Sequence, residues 1–177
     1  LMAALVFIPA FCRAEGSVIL NNGFFKYEIA PDGKNLHFID CASGRDYLDL
    51  QKVSYCAFIQ QRGKPFPVSA LGLEDDRFCL EFDDAQVRAE IVLQSHKDRW
   101  VYRVDKVEGE VEALTFLNIP LTLEGMPYEP FAACVLSMNL FTHVRQLPAL
   151  QTHLGDLLYP VWIERSRGDP SGGSAGQ

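Results

Sequence analysis

Carboxylates are the side chains of this sequence that are best suited to catalysis, because general acid and general base steps are often carried by pairs of Asp or Glu. The sequence has 23 acidic residues, and two adjacent pairs stand out, Asp75-Asp76 and Asp83-Asp84. Neighbouring residues of a strand point to opposite faces, however, and both pairs fall in predicted turns, where Asp bonds the local backbone. We therefore interpret both pairs as solvated turns rather than as catalytic or calcium-binding acids.

The histidines and cysteines show no spacing that is typical of a metal site or of an activated nucleophile. The sequence contains no C-x-x-C pair, no G-x-G-x-x-G loop and no Walker loop. His143 and His153 are a pair that a fold could bring to a shared site, and Glu129 and Glu164 are a corresponding pair of acids. We predict no metal and no cofactor, and we expect the isolated chain to perform no catalysis unless such distant residues converge.

Aromatic side chains are the other candidates for a binding site, since Trp and Tyr combine a flat apolar face with a polar group. Twelve of the aromatic residues are Phe, which is typical core material. Trp100 is in phase with Tyr102 and Val104, so we assign it to the core. Tyr128 and Trp162 lie in irregular contexts and are therefore the candidate ligand-binding residues; the alternative is that both only pack within loops.

The stretch from Ser17 to Leu50 predicts the elements that must position these residues. Apolar and polar residues alternate in Phe25-Lys26-Tyr27-Glu28-Ile29, which indicates a strand with one buried face. Turn signals divide the stretch at three points, namely Asn22-Gly23, Pro31-Asp32-Gly33 and Ser43-Gly44. Such an antiparallel meander needs a second layer to cover its apolar face, so the rest of the chain must supply one.

Runs of period two continue along the chain, with turn signals about every 8–12 residues, which is typical of a sandwich or barrel. We predict an all-β fold, an antiparallel β-sandwich with few or no helices. Its expected core is Phe25, Tyr27, Ile29, Leu36, Phe38, Phe78, Leu80, Phe82, Val87, Ile91, Leu93, Trp100 and Tyr102. Further strands are expected at Val53–Gln61, Phe66–Leu73 (an edge strand, because of Pro67), Gln86–Gln94, Val111–Ile119, Phe131–Met138, Phe141–Leu147 and Leu157–Glu164.

Three segments are expected in the chain. Residues 1–14 form a short apolar run that ends in Cys12-Arg13-Ala14 and predict a signal peptide with a truncated start. Residues 15–164 are the β-sandwich domain, and residues 165–177 are too polar and too rich in Gly and Ser for anything but a disordered tail or linker. The protein is therefore expected to be secreted or periplasmic, with no membrane association after leader removal.

Charge and cysteine content add two further expectations. The formal net charge of −7 without a basic run makes nucleic acid an unsuitable partner. After leader removal four cysteines remain, and two states are open for them: free thiols, buried for the three in strand-like runs, or at least one disulfide of unassigned pairing. These cysteines are Cys41, Cys56, Cys79 and Cys134.

The sequence from Val18 to Asp49 resembles the N-terminal β-supersandwich domains of secreted bacterial carbohydrate-active enzymes, the galactose-mutarotase-like fold. Its most recognisable part is Gly44-Arg45-Asp46-Tyr47-Leu48. The resemblance implies a supersandwich-like domain of an exported glycoside hydrolase or related polysaccharide-processing enzyme. Its implied partners are a carbohydrate and a catalytic domain of the same polypeptide, which this chain does not contain. The alternatives are a free-standing carbohydrate-binding module or a mutarotase-like sugar epimerase.

Overall fold

The structure is a computed structural model that describes residues 16–123, 130–144 and 161–164. Its regular elements are almost all strands, with a single turn of 3₁₀ helix at Asp83–Ala85 in the described part. The strands are β1 (Val18–Asn21), β2 (Phe25–Ile29), β3 (Asn35–Asp40), β4 (Ala57–Gln61), β5 (Lys64–Pro67), β6 (Ala70–Glu74), β7 (Arg77–Phe82), β8 (Val87–Ser95), β9 (Trp100–Glu108), β10 (Ala113–Phe116), β11 (Thr142–Val144) and β12 (Val161–Glu164). The predicted all-β class with few or no helices is confirmed.

The strands form three antiparallel sheets. The first sheet is the predicted meander β1-β2-β3, the second has the order β11-β12-β10-β4-β5, and the third has the order β6-β7-β8-β9. Side chains of the third sheet meet the second, since the Phe116 ring lies 5.6 Å from that of Phe78 and 5.3 Å from that of Tyr102. The first sheet joins the same core through Tyr27 and Ile29, which are fully buried. The result is the predicted antiparallel sandwich around one continuous apolar core.

The predicted turns of the opening meander are confirmed. Gly23, Gly33 and Gly44 all have a positive φ, which glycine adopts without the clash of a Cβ atom. Gly33 also packs closely, because a Cβ atom added there would lie 2.1 Å from Cγ1 of Val68. A second kind of turn joins β6 to β7, where Asp75 and Asp76 both have a positive φ. The acidic pair at 75–76 thus lies in a turn, as expected, whereas the pair at 83–84 lies in the single turn of 3₁₀ helix.

Three expected strands have different limits in the structure. The segment Val53–Gln61 becomes a strand only at Ala57, because the backbone of Ser54 and Cys56 is bonded to Asn35 and Gly33 at the start of β3. The segment Phe66–Leu73 is split between two sheets, and Pro67 ends the edge strand β5, as its missing N–H group suggests.

The third is the segment Val111–Ile119. It yields only the short strand β10, since Leu117 has a φ of 60° and interrupts the extended backbone.

The last three expected strands differ more from the structure. Residues 131–138 belong to no strand, so the expectation of a buried strand at Phe131–Met138 is wrong. The segments Phe141–Leu147 and Leu157–Glu164 contain the shorter strands β11 and β12, and their remaining residues lie outside the described part of the chain. The expected signal peptide (residues 1–14) and the expected tail (residues 165–177) also lie outside the described part of the chain.

The expected core is largely confirmed. Nine of its thirteen members are buried, and Phe25, Trp100 and Tyr102 are partly buried but packed against the same cluster. Leu36 is the exception, because a β-bulge shifts the register so that Ile29 pairs with Asn35 instead. Asn35 therefore takes the inward position, where its side chain bonds the Tyr27 hydroxyl, Ser54 Oγ at 2.8 Å and the Asn118 carbonyl at 2.9 Å.

None of the four cysteines that would follow the leader forms a disulfide in the described part of the chain. Cys56 and Cys79 are buried, as expected for small apolar residues of a core. Cys134 is exposed, so its assignment to a buried position is wrong. Burial raises the pKa of the Cys56 thiol well above its usual value, which keeps this thiol protonated and unreactive.

Candidate functional site

The most unusual surface of the described part is the segment of eleven residues 131–141, which we name the apolar ribbon; its last three residues form a bend and a turn. Over residues 131–136 the exposure alternates strictly between half-buried and exposed, which is the period-two pattern of a strand. Phe131 and Ala133 form its inner row and pack against the core, and Val135 continues that row. Ala132, Cys134 and Leu136 form an outer row that faces solvent.

Two properties set the apolar ribbon apart from an ordinary surface loop. Its large side chains are far more exposed than such residues usually are, at 77% for Leu136, 81% for Met138 and 92% for Leu140. In addition, no backbone–backbone hydrogen bond joins residues 131–138 to any other described residue. The segment has the composition and the alternating exposure of a strand, but no other described residue pairs with its backbone.

A stack of side chains anchors the apolar ribbon to the first sheet. The ring of Phe131 stacks on that of Tyr47, with centroids 5.1 Å apart and an interplanar angle of 25°. The Arg45 guanidinium lies over the Tyr47 ring at 4.7 Å from its centroid, so Tyr47 is fully buried between a cation and an aromatic ring. Arg45 and Tyr47 belong to the segment Gly44–Leu48, on which the resemblance stated above mainly depends. These contacts hold the beginning of the ribbon in place.

A half-exposed aromatic patch adjoins this stack. Trp100, at the start of β9, meets the Phe25 ring edge to face, with centroids 4.3 Å apart. Phe25 in turn lies 6.5 Å from Phe131 and 5.3 Å from Phe38. Because Trp100, Phe25 and Phe131 are only partly buried, their rings offer some apolar surface to a ligand as well as to the core. The assignment of Trp100 to the core therefore describes only part of its environment.

The outer face of the first sheet carries a polar cluster that the sequence reasoning missed. His37 Nδ1 lies 2.6 Å from Asp46 Oδ2, and the other carboxylate oxygen accepts the N–H groups of Phe38 and Leu48. Partial burial disfavours the charged carboxylate, but these three hydrogen bonds outweigh it and hold the pKa of Asp46 below its usual value. The carboxylate thereby fixes the orientation of an exposed imidazole ring.

Glu28 lies directly opposite His37 on the neighbouring strand. Its carboxylate accepts a hydrogen bond from Ser17 Oγ at 2.9 Å and pairs with Lys26 Nζ at 3.1 Å. The bond from Lys26, together with that from Ser17, lowers the pKa of Glu28. The period-two alternation of β2 and β3 was the signal that could have placed these residues on one face. The face is flat and its polar groups already satisfy one another, so it lacks an enclosed site for a reacting ligand.

One shallow groove lies between the free edge of β9 and the residues before β10. Its volume is about 200 Å³, and its floor is apolar. The charged residues Asp105, Lys106 and Glu112 form its rim, and Val104, Val107, Val111, Ala113 and Leu114 complete the lining. A groove of this size is smaller than the cavities of roughly 300–1,000 Å³ that usually bind small molecules. We assign no catalytic role to it.

The residues that the sequence singled out are only partly described. Tyr128 and Glu129 lie outside the described residues, as does His153. Trp162 lies in β12, where it pairs with Thr115 of β10 and with His143 of β11. Glu164 also lies in β12, opposite Ala113. The ligand-binding assignment of Tyr128 and Trp162 and the pairing of Glu129 with Glu164 therefore remain predictions.

Within the described ranges, no group of three or more His, Cys, Asp or Glu side chains is arranged to hold a metal ion. The described residues also contain no helix that is long and apolar enough to cross a membrane. No protein-family model matches this chain, and no curated protein or solved structure is significantly similar to it.

Proposed function

We propose that this chain is a non-catalytic N-terminal β-sandwich domain of an exported glycoside hydrolase or related polysaccharide-processing enzyme, which packs against a catalytic domain of the same polypeptide. The observation that carries the proposal is the apolar ribbon, residues 131–141, whose outer row is exposed. Large contiguous apolar surfaces on a folded domain mark places where another protein surface docks. The carbohydrate part of the proposal is supported by the resemblance of Val18–Asp49 to such domains.

The position of the apolar ribbon supports a structural role. Its beginning is held by the stack of Phe131 on Tyr47, so a domain that docks on the ribbon would be fixed relative to the first sheet. Covering three large side chains would also stabilise the pair of domains. Complete burial of one Leu or Met side chain contributes about 1.5–3 kcal/mol relative to exposure. Leu136, Met138 and Leu140 are all more than three-quarters exposed and have most of that contribution still available.

The proposal is tested by comparing the isolated chain with the longer polypeptide. Leu136→Lys should leave the melting temperature of the isolated chain nearly unchanged, because this side chain is already exposed. In the longer polypeptide the same change should lower the melting temperature and the polysaccharide-degrading activity. Ile19→Lys is the matched control, since Ile19 is also an exposed apolar residue, at 52%, but lies on the first sheet. Equal effects of both changes, or none from either, would contradict the proposal.

A direct activity test complements this comparison. The purified chain is incubated with a panel of polysaccharides and aryl glycosides, and we expect no turnover. Glycosidic cleavage normally requires two carboxyl groups that face each other about 5–10 Å apart across the bond. Turnover that disappears with Glu129→Gln or Glu164→Gln would instead make this domain the enzyme.

The half-exposed aromatic patch favours one second candidate, a free-standing carbohydrate-binding module. In that case Trp100, supported edge to face by Phe25, would offer its free surface to a sugar ring. Affinity electrophoresis in gels that contain soluble polysaccharides measures this directly. Retardation that is lost with Trp100→Ala, but retained with Ile19→Ala, would favour the binding module over the scaffold.

A further inference from the structure

The turn between β1 and β2 contains the single Asn-Gly sequence of the chain, Asn22-Gly23. The backbone nitrogen that follows an asparagine can attack the side-chain amide of that asparagine, and a glycine leaves this nitrogen unshielded because it has no Cβ atom. The other four asparagines are followed by residues with larger side chains, namely Asn22, Leu36, Ile119 and Leu140. Asn22 is therefore the asparagine of this chain that is chemically most prone to this reaction.

The folded turn holds both reacting groups in hydrogen bonds. The nucleophile is the Gly23 nitrogen, and its N–H is donated to Asn21 Oδ1 at 2.8 Å. The electrophile is Cγ of Asn22, and the attached Oδ1 accepts the N–H groups of Phe24 and Phe25, each at 3.0 Å. Such bonds from the backbone to an Asn side chain are typical of Asx turns, and they fix the orientation of the Asn22 amide.

The leaving group of the reaction is enclosed as well. Nδ2 of Asn22 is buried and has no hydrogen-bond partner among the described residues, whereas most buried polar atoms have one. This nitrogen must take up a proton in order to leave as ammonia, and a buried atom without a partner has no proton donor beside it. The reaction therefore requires the turn to open to water, which is a local unfolding event.

We propose that Asn22 is a site of spontaneous deamidation and that Asn21 keeps this site unreactive in the folded protein. In the open turn, the Gly23 nitrogen gives up its proton to solvent and bonds to Asn22 Cγ, the Cγ–Nδ2 bond breaks, and Nδ2 takes up a proton and leaves as ammonia. Water then cleaves one of the two C–N bonds of the succinimide ring, which leaves either aspartate or an isoaspartyl linkage. This inference concerns the first sheet alone and does not depend on the proposed function.

The two products differ in their consequences for the hairpin. Aspartate at position 22 keeps an oxygen that accepts the N–H groups of Phe24 and Phe25, so the turn is retained. An isoaspartyl linkage leads the main chain through Cγ and lengthens it by one methylene group. This extra length conflicts with the register in which Asn21 pairs with Lys26, so the isoaspartyl product disrupts the pairing of β1 with β2.

Peptide mapping by mass spectrometry, after incubation at mildly alkaline pH, measures the deamidation rate at each asparagine. The tryptic peptide that ends at Lys26 contains both Asn21 and Asn22, so fragment ions must assign the modified residue. In guanidinium chloride, Asn22 should react faster than every other asparagine of the chain. In the folded protein it should react at least about tenfold more slowly than in guanidinium chloride. Equal rates in the two conditions, or a faster reaction of another asparagine in the denaturant, would overturn the proposal.

Variants of Asn21 isolate the role of this residue. Asn21→Ala removes the acceptor of the Gly23 N–H and should accelerate deamidation of the folded protein about two- to tenfold, the factor that corresponds to one hydrogen bond, without changing the rate in guanidinium chloride. Asn21→Asp retains an acceptor oxygen and should keep the slow rate. Ile91→Val in β8 is the control for a general loss of stability, since Ile91 is fully buried in the core, and it should not accelerate the reaction. No acceleration by Asn21→Ala, or an equal acceleration by Ile91→Val, would overturn the role assigned to Asn21.

Discussion

Replacement of Gly33 by Ala should destabilise the protein more than replacement of Gly23, a turn glycine with open space around it. Gly33 is buried in the Pro31-Asp32-Gly33 turn, where its φ is +79° and its carbonyl accepts the Cys56 N–H at 2.8 Å. A Cβ atom there would lie 2.1 Å from Cγ1 of Val68 and 3.2 Å from its Cβ, so the two segments must move apart.

The magnitude follows from two separate costs. The left-handed backbone costs a residue with a Cβ atom about 1–2 kcal/mol. Overpacking of a buried contact adds about 1–3 kcal/mol. Gly33→Ala should therefore lower the free energy of unfolding by about 2–5 kcal/mol, to be measured by urea denaturation.

Gly23→Ala is the matched control for this experiment. Gly23 has a φ of +84°, but no heavy atom lies within 4 Å of the position of an added Cβ. It should therefore incur only the backbone cost of about 1–2 kcal/mol. Equal losses for the two variants would refute the contact with Val68, and partial recovery of Gly33→Ala by Val68→Ala would support it.

Three further predictions test the core, a turn and the polar cluster. Tyr27→Phe should lower the free energy of unfolding by about 1–3 kcal/mol in urea denaturation, because the side-chain oxygen of buried Asn35 would lose the hydrogen bond that the Tyr27 hydroxyl donates to it. Replacing Asp75-Asp76 by Asn-Gly should raise the free energy of unfolding by about 0.5–1 kcal/mol, since both residues have a positive φ; a lower free energy of unfolding would contradict this. The depressed pKa of Asp46 means that its carboxylate stabilises the fold above its unfolded pKa of about 3.9 and ceases to do so as the pH falls through the lower folded value. Asp46→Asn should therefore be less stable than the unmodified protein at pH 6, with a difference that shrinks as the pH falls through the lowered pKa of Asp46; a difference that persists unchanged would argue against this linkage.

The sequence by itself predicted much of the local architecture. Period-two alternation placed Tyr27, Ile29 and Phe38 in the core, because each strand exposes one face to water and buries the other. The turn residues predicted the chain reversals for an equally local reason, since glycine adopts a positive φ without a clash. These features depend on neighbours in sequence, so the sequence contains the information that determines them.

Tertiary contacts decided the features that depend on distant residues. The bulge that moves Leu36 away from the core depends on Asn35, whose side chain is bonded to Ser54 and Asn118. His37 and Asp46 meet because the chain after β3 folds back along that strand. Nothing in the local pattern of either segment specifies such a partner.

The apolar ribbon shows the same division between local and distant information. Its composition predicts a strand, and its exposure alternates as a strand requires, yet it belongs to no sheet in the described part of the chain. Composition determines that a segment prefers burial and extended backbone, but a sheet also requires a neighbouring strand in register. The sequence alone therefore determined which structure residues 131–138 favour, and only the tertiary structure decided that no other described strand pairs with them.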